Sequence, residues 1–170
     1  MSTRLLVACA CVVVGLAAIV GISSTAGPPD GYVVFHDRDV RVYLPDDFRT
    51  VAEGERDVII AVVSRDRARD GVEVATVPTR GRSLRRYEIF TLENVLRAVP
   101  DAQDVAREDV DVPGADEARR LTYHDPERDR DATIITARDD DRFVTLSIDV
   151  DAHSAALDQD AVEDSFAVTG

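Results

Sequence analysis

The chain has 170 residues, with 33 acidic side chains against 20 basic ones, all of them arginine, and a formal net charge of −13. This balance argues against nucleic acid and anionic lipid surfaces as partners, because both repel an acidic protein. The cysteines are Cys9 and Cys11, so the sequence beyond them excludes a thiol nucleophile, a thiolate zinc site and an internal disulfide.

The N-terminal stretch predicts export. Arg4 precedes an uncharged apolar run, residues 5–22, and small residues follow as far as Ala26. A basic start, an apolar core and a small-residue stretch make a secretory signal peptide, here with a cleavage point after Ala26. The apolar run is also just long enough to span a bilayer as an uncleaved anchor. With Arg4 on the cytoplasmic side, the rest of the chain would lie outside in either case.

Lipidation is a third alternative for this segment. Residues 6–9, Leu-Val-Ala-Cys, match a bacterial lipobox by letter, although the apolar core follows Cys9 instead of preceding it. We therefore interpret residues 1–26 as a signal peptide or signal anchor and residues 27–170 as a single α+β exported domain. The predicted location is extracytoplasmic, either secreted or anchored to the cytoplasmic membrane by residues 5–22.

Alternating apolar residues and turn signals predict strands in the first half of the domain. The predicted strands cover residues 32–36, 40–44, 58–63 and 72–77, and residues 50–56 are predicted to be a polar loop. The run VIIAVV at 58–63 is apolar throughout, which is typical of a central strand covered on both faces. Phe48 is expected to cover the core.

Residues 83–99 carry the longest helical pattern of the chain. Ser83 is a suitable N-cap, and Pro100 ends the pattern because the residue before a proline is disfavoured in the α region. At 100° per residue, the apolar stripe contains Leu84, Tyr87, Leu92, Val95, Leu96 and Val99, and Arg86, Glu93 and Arg97 lie opposite. Two residues fit poorly: Glu88 falls on the apolar stripe, and Thr91 could begin a second helix. The helix is predicted to cover a sheet.

Strand patterns return after Pro100. They cover residues 105–112, 118–124, 132–137 and 143–150, and the last two form a hairpin around the acidic turn 139–141. The row expected to point inward is Val144, Leu146, Ile148 and Val150. Residues 155–166 are weakly helical. The order predicts an α+β fold, with an antiparallel sheet of about six or seven strands, a long covering helix and a short C-terminal helix.

This layout resembles the PsbP-like fold. The opening YVVFHDRDVRVYLPDDF at 32–48 is similar to the family's start, residues 83–100 to its covering helix, residues 110–118 to its next strand and residues 164–166 to its final helix. The family includes LpqN-type lipoproteins and DcrB-like envelope proteins. It often has Pro-x-Gly-Trp where this chain has Pro-Asp-Asp-Phe at 45–48. The resemblance implies a fold and an exported location but no activity.

Metal-binding candidates are few. His36 and His124 each end a predicted strand beside an aspartate, and if these ends met, the two histidines could hold an ion together with Asp37 or Asp125. The ordinary interpretation is a surface histidine at a turn, since the spacing of the ligands is not that of a known motif. The acidic turn 139–141 lacks the spacing of a calcium loop.

One local basic patch is a candidate for binding a phosphate or an acidic partner. It comprises Arg82, Arg85, Arg86 and Arg97, with Arg80 beside them. The alternative is a solvated helix face whose arginines pair with surrounding carboxylates.

The sequence therefore predicts a non-enzymatic envelope domain that binds another envelope protein or a small ligand and uses no cofactor. It contacts the membrane only through the N-terminal segment, if that segment stays uncleaved. No catalytic residue is assigned, because the sequence contains no Gly-x-Ser-x-Gly, His-Glu-x-x-His or glycine-rich phosphate loop. One alternative is a cell-wall hydrolase or metal-dependent enzyme that uses His36, His124 and nearby aspartates. Another is weak divalent-cation binding by the acidic surface.

Overall fold

The computed structural model describes residues 27–54, 57–65 and 70–169. In chain order the elements are β1 (Tyr32–Asp37), β2 (Val40–Pro45), β3 (Arg49–Glu53), β4 (Val58–Val63), β5 (Gly71–Pro78), α1 (Leu84–Ala98), β6 (Gln103–Val110), β7 (Glu117–Asp125), β8 (Arg130–Asp139), β9 (Arg142–Asp151), α2 (Gln159–Ser165) and β10 (Ala167–Val168). The predicted signal or anchor segment, 1–26, lies outside the described residues. Within them, every helix is too short or too polar to cross a membrane.

The predicted α+β class and the seven-stranded antiparallel sheet are confirmed. The strand order of this sheet is β3-β4-β5-β9-β8-β7-β6, and its centre is the predicted hairpin β8–β9. A second sheet, in the order β1-β2-β10, is not predicted by the sequence. Its third strand has only two residues, too few for an alternating pattern to identify.

The main core lies between one face of the large sheet and the small sheet with α2. The predicted inward row of β9 is confirmed there, since Val144, Leu146 and Ile148 are fully buried. Val40 and Val42 of β2 face them across the core at 0% exposure. Phe48 is also buried in this core, as expected.

Helix α1 covers the opposite face of the large sheet, above β7 and β8. Its Ser83 N-cap is confirmed, because the Ser83 hydroxyl accepts a hydrogen bond from the backbone N–H of Arg86. Leu84 and Val95 are buried as predicted, but Leu96 is 43% exposed, so its assignment to the inward stripe was wrong. The covering face is centred on Val95 and Glu88, which turns Leu96 toward solvent.

Two predicted boundaries also need correction. Residues 49–53 form strand β3 and not a loop, because their backbone pairs with β4 while most of their side chains stay exposed. A polar edge strand of this kind carries no apolar alternation to identify it. The C-terminal helix is shorter than the predicted 155–166, since it begins after the cap Asp158.

Gly114 allows the turn before β7 to approach β10. Its φ is +84°, and a Cβ there would lie 1.6 Å from the carbonyl oxygen of Val168. We expect Gly114→Ala to lower the free energy of unfolding by about 2 kcal/mol, through left-handed strain and the collision. Gly31→Ala is the matched control, because φ is +83° there but the space is open. If urea denaturation showed the same loss of unfolding free energy in both variants, the collision with Val168 would make no contribution.

Candidate functional site

A groove separates α1 from strand β6 at the edge of the large sheet. Because α1 lies over β7 and β8, it leaves β6 uncovered, and every side chain of β6 except Val110 is exposed. The groove contains two adjoining depressions of about 400 and 580 Å³. We call it the α1–β6 groove, and its central lining residues are Arg85, Val105, Arg107, Asp109 and Arg119.

Arg119 stands at the floor of the groove between two carboxylates. Its Nη1 donates to Oε2 of Glu88 at 2.6 Å, and its Nε donates to Oδ1 of Asp109 at 2.7 Å. The antiparallel register places Asp109 directly opposite Arg119 in β6 and β7. The hydrogen bond that Arg119 donates to Asp109 is the largest cause of its raised pKa, and the charge of Glu88 raises this pKa further. Arg119 is therefore a fixed positive charge.

The buried end of this network explains the misfit of Glu88 in the helical pattern. Glu88 is only 4% exposed, and its Oε1 has no hydrogen-bond partner among the described residues. A buried carboxylate requires a cationic partner, which Arg119 supplies from the sheet below. Residue 88 is therefore helical as predicted, and its buried carboxylate is neutralised by Arg119 of β7.

Two further guanidinium groups reach the groove without a carboxylate of their own. Among the described residues, neither Arg85 of α1 nor Arg107 of β6 has a hydrogen-bonded or ion-paired partner for its side chain. Both side chains are exposed. The groove thus presents uncompensated positive charge on a chain whose net charge is −13.

The predicted basic patch does not form one site. Arg82 turns back to donate to the carbonyl oxygen of Thr79, and its guanidinium lies 5.5 Å from the Tyr87 ring centre. Arg97 donates to the side chain of Asn94 within the helix. Arg86 is exposed outside the groove lining, which leaves Arg85 as the member that contributes to the groove.

Sequence reasoning missed Arg107 and Arg119. The usable signal is the β6–β7 hairpin, whose register pairs Asp109 with Arg119 and Glu108 with Arg120. Opposite charges facing each other across two strands are a recognised stabilising pattern. Placing Arg85 above them, however, requires the position of α1 on the sheet.

The metal-binding candidates have separate partners. His36 is bonded to the hydroxyl of Thr169 at 3.2 Å, whereas His124 lies 2.9 Å from Asp131. The Asp125 carboxylate accepts from the Glu127 backbone at 3.0 Å. Within the parts of the chain that the structure describes, no three histidine, cysteine, aspartate or glutamate side chains are placed to hold an ion. The structure does not bring the three candidates into one site.

The groove side of α1 carries exposed apolar side chains. Ile89 and Leu96 are each 43% exposed there, and we call them the α1 apolar patch. Phe90 is 50% exposed but lies further round the helix, beside Tyr87. Ile89 follows Arg85 by one helical turn on the same side of the helix. Across the groove, Val105 of β6 is 38% exposed. Clustered apolar exposure of this kind is typical of interaction surfaces.

The phenol of Tyr123, on β7, is expected to make the stability of the fold depend on pH in the alkaline range. Burial raises its pKa above the ordinary value of 10.0, and the charges of Asp149 and Asp125 raise it further. The folded state therefore favours the protonated phenol, so its stabilising contribution is complete below about pH 10 and is lost as the pH rises through the raised pKa. When the pH is raised from neutral to strongly alkaline, we expect the Tm of Tyr123→Phe to decrease less than the Tm of the unmodified protein. Identical losses in both proteins would contradict this expectation.

Known structures of the same fold were found, whereas no family model and no curated protein sequence matches this chain. The cyanobacterial PsbP protein CyanoP from Synechocystis sp. is similar with a TM-score of 0.59 and 16% identity, over 91% of this chain and 98% of that chain. The Ran-binding protein Mog1p of Saccharomyces cerevisiae is similar with a TM-score of 0.55 and 12% identity, over 81% and 95% of the two chains. These similarities confirm the predicted PsbP-like fold.

Proposed function

We propose that this chain is an exported or membrane-tethered bacterial envelope domain that acts by binding a protein or a small ligand. The observation that carries the binding role is the α1 apolar patch beside the α1–β6 groove. There, Ile89 and Leu96 are each 43% exposed, and Ile89 lies one helical turn from Arg85, whose guanidinium group has no carboxylate partner among the described residues. Exposed apolar groups with polar groups around them favour recognition of a partner.

Two further observations support binding over catalysis. His36 and His124 are bonded to different neighbours, so the alternative of a hydrolase or metal enzyme lacks an assembled site among the described residues. The neighbour Mog1p is itself named as a Ran-binding protein, so the fold is compatible with protein recognition. We also propose that this chain is related to the LpqN-type and DcrB-like envelope proteins.

Export is tested by mass spectrometry of the mature N-terminus from cell fractions. A start at Gly27, an intact chain in the membrane fraction or a lipidated Cys9 would each support an extracytoplasmic location. A full-length chain recovered from the cytosol would contradict it.

Binding is tested with a photo-crosslinking amino acid placed at Ile89 in intact cells. We expect a discrete crosslinked product, because Ile89 is 43% exposed in the α1 apolar patch. The matched control places the same group at Asp160, an exposed position on α2 beyond the opposite sheet face. Equal products from both positions would contradict a binding role at α1. Turnover of a cell-wall substrate by the purified protein that is lost after His36→Ala and His124→Ala would support the enzyme alternative instead.

A further inference from the structure

We infer that the α1–β6 groove binds an acidic, extended segment of a partner protein, which adds as a new strand to the free edge of β6. The inference rests on the proposed binding function and specifies its site, its geometry and the chemistry of its partner. Three observations carry it: an open sheet edge, uncompensated guanidinium groups, and apolar side chains on both walls of the groove.

The first observation is the open edge. Strand β6 ends the seven-stranded sheet, and among the described residues it pairs only with β7. Its register is irregular between Gln103 and Ala106 and regular from Ala106 to Val110. The outer side of this regular stretch therefore presents backbone donors and acceptors in strand geometry. Such an edge is a template for another strand, and many domains bind peptides in this way.

The second observation is charge. Arg85 and Arg107 approach the groove from opposite walls and have no carboxylate partner among the described residues. Arg119 between them is already neutralised by Glu88 and Asp109. An incoming carboxylate could therefore pair with two free guanidinium groups without breaking an existing ion pair. A second copy of this chain is disfavoured as the occupant, because two whole chains of net charge −13 repel each other far more strongly than one chain repels a short segment with a few carboxylates.

The third observation is the apolar lining. Val105 on β6 and Ile89 on α1 are 38% and 43% exposed. Alternate residues of a strand point to the same side, so Val105, Arg107 and Asp109 form one row toward α1. A strand added beside β6 would place its own alternate side chains along this row. The partner segment is thus expected to combine acidic residues, opposite Arg107, with apolar residues, opposite Val105.

A short acetylated peptide with threonine at every second position, and glutamate and valine in turn at the positions between, is a direct probe, because it places both glutamate and valine on one face of the added strand. Its binding to the purified domain is measured at low salt by fluorescence anisotropy and by backbone amide NMR shifts. We expect the shifts to concentrate in residues 106–110 and on the groove side of α1. Arg85→Ala and Arg107→Ala should each weaken binding by about fivefold, the size of one partly exposed charge pair. Arg86→Ala is the charge-matched control, because it removes one positive charge from α1 outside the groove and should leave binding unchanged.

Two altered peptides separate strand addition from simple charge attraction. A peptide N-methylated at alternate residues keeps its carboxylates but cannot pair along β6, and we expect it to bind at least about tenfold more weakly. A peptide with lysine in place of glutamate should not bind. Equal binding of either altered peptide, loss of binding in Arg86→Ala, or self-association of the domain through β6 would overturn the inference. If the peptide fails to bind while the crosslinker at Ile89 still captures a discrete product in cells, the proposed binding function stands and the assignment of strand addition to β6 is wrong.

Discussion

Replacing Arg119 with alanine is expected to lower the free energy of unfolding by about 3–5 kcal/mol, because it strands a buried carboxylate. Glu88 is 4% exposed, and within the described part of the chain its ionic partner is Arg119, 2.6 Å away. Its second oxygen has no partner among the described residues, so no neighbouring group is placed to replace the lost guanidinium. Chemical denaturation followed by circular dichroism measures the loss.

The control for this prediction is Asp109→Ala. Asp109 also bonds to Arg119, but its side chain is 82% exposed, so its removal should cost no more than about 1 kcal/mol. The double variant with leucine at both Glu88 and Arg119 should recover most of the stability lost in Arg119→Ala, since it removes both charges together. If Arg119→Ala were as stable as Asp109→Ala, the buried ion pair between Glu88 and Arg119 would not stabilise the packing of α1 on the sheet.

Phe143→Ala is expected to destabilise the domain by about 3–5 kcal/mol through the cavity it leaves. Phe143 is fully buried between the large sheet and α1, and its ring stacks on Tyr87 with a centroid distance of 4.4 Å. Loss of this ring removes both the buried apolar area and the aromatic contact. A thermal melt monitored by circular dichroism should show a clear decrease in Tm.

Phe90→Ala is the matched control, because it removes the same ring from the solvent side of the same helix. Phe90 is 50% exposed, so the change should stay within about 0.5 kcal/mol. A similar decrease in Tm for both variants would show that the Phe90 side of α1 is also packed. The pair therefore separates the face of the helix that stabilises the fold from a face that lies in solvent.

Local pattern was sufficient for much of the fold. The boundaries of α1, its Ser83 cap, the hairpin β8–β9 and the buried row of β9 were all predictable, because each depends on side-chain periodicity within a short stretch. The failures share a different cause. Leu96 is apolar but faces solvent, β3 is polar but pairs with β4, and β10 has too few residues to show a period.

The candidate site was predictable only in part. Arg85 was among the basic residues selected from the sequence, but its neighbours in that list, Arg82 and Arg97, bond to groups outside the groove. The residues that complete the groove, Arg107 and Arg119, come from strands that follow the helix. Charge counts along the chain do not indicate which arginines meet, because that depends on the register of β6 against β7 and on where α1 lies.

The sequence by itself determined the α+β class, the covering helix, the main inward-facing rows and the absence of thiol chemistry beyond Cys11, since these follow from residue type and local period. The tertiary structure alone decided which charges are compensated. Glu88 and Arg119 neutralise each other across the helix–sheet interface, whereas Arg85 and Arg107 remain without a carboxylate among the described residues. The physical reason is that the free energy of a charge depends on its burial and on its distance to other charges, and only the folded chain sets those quantities.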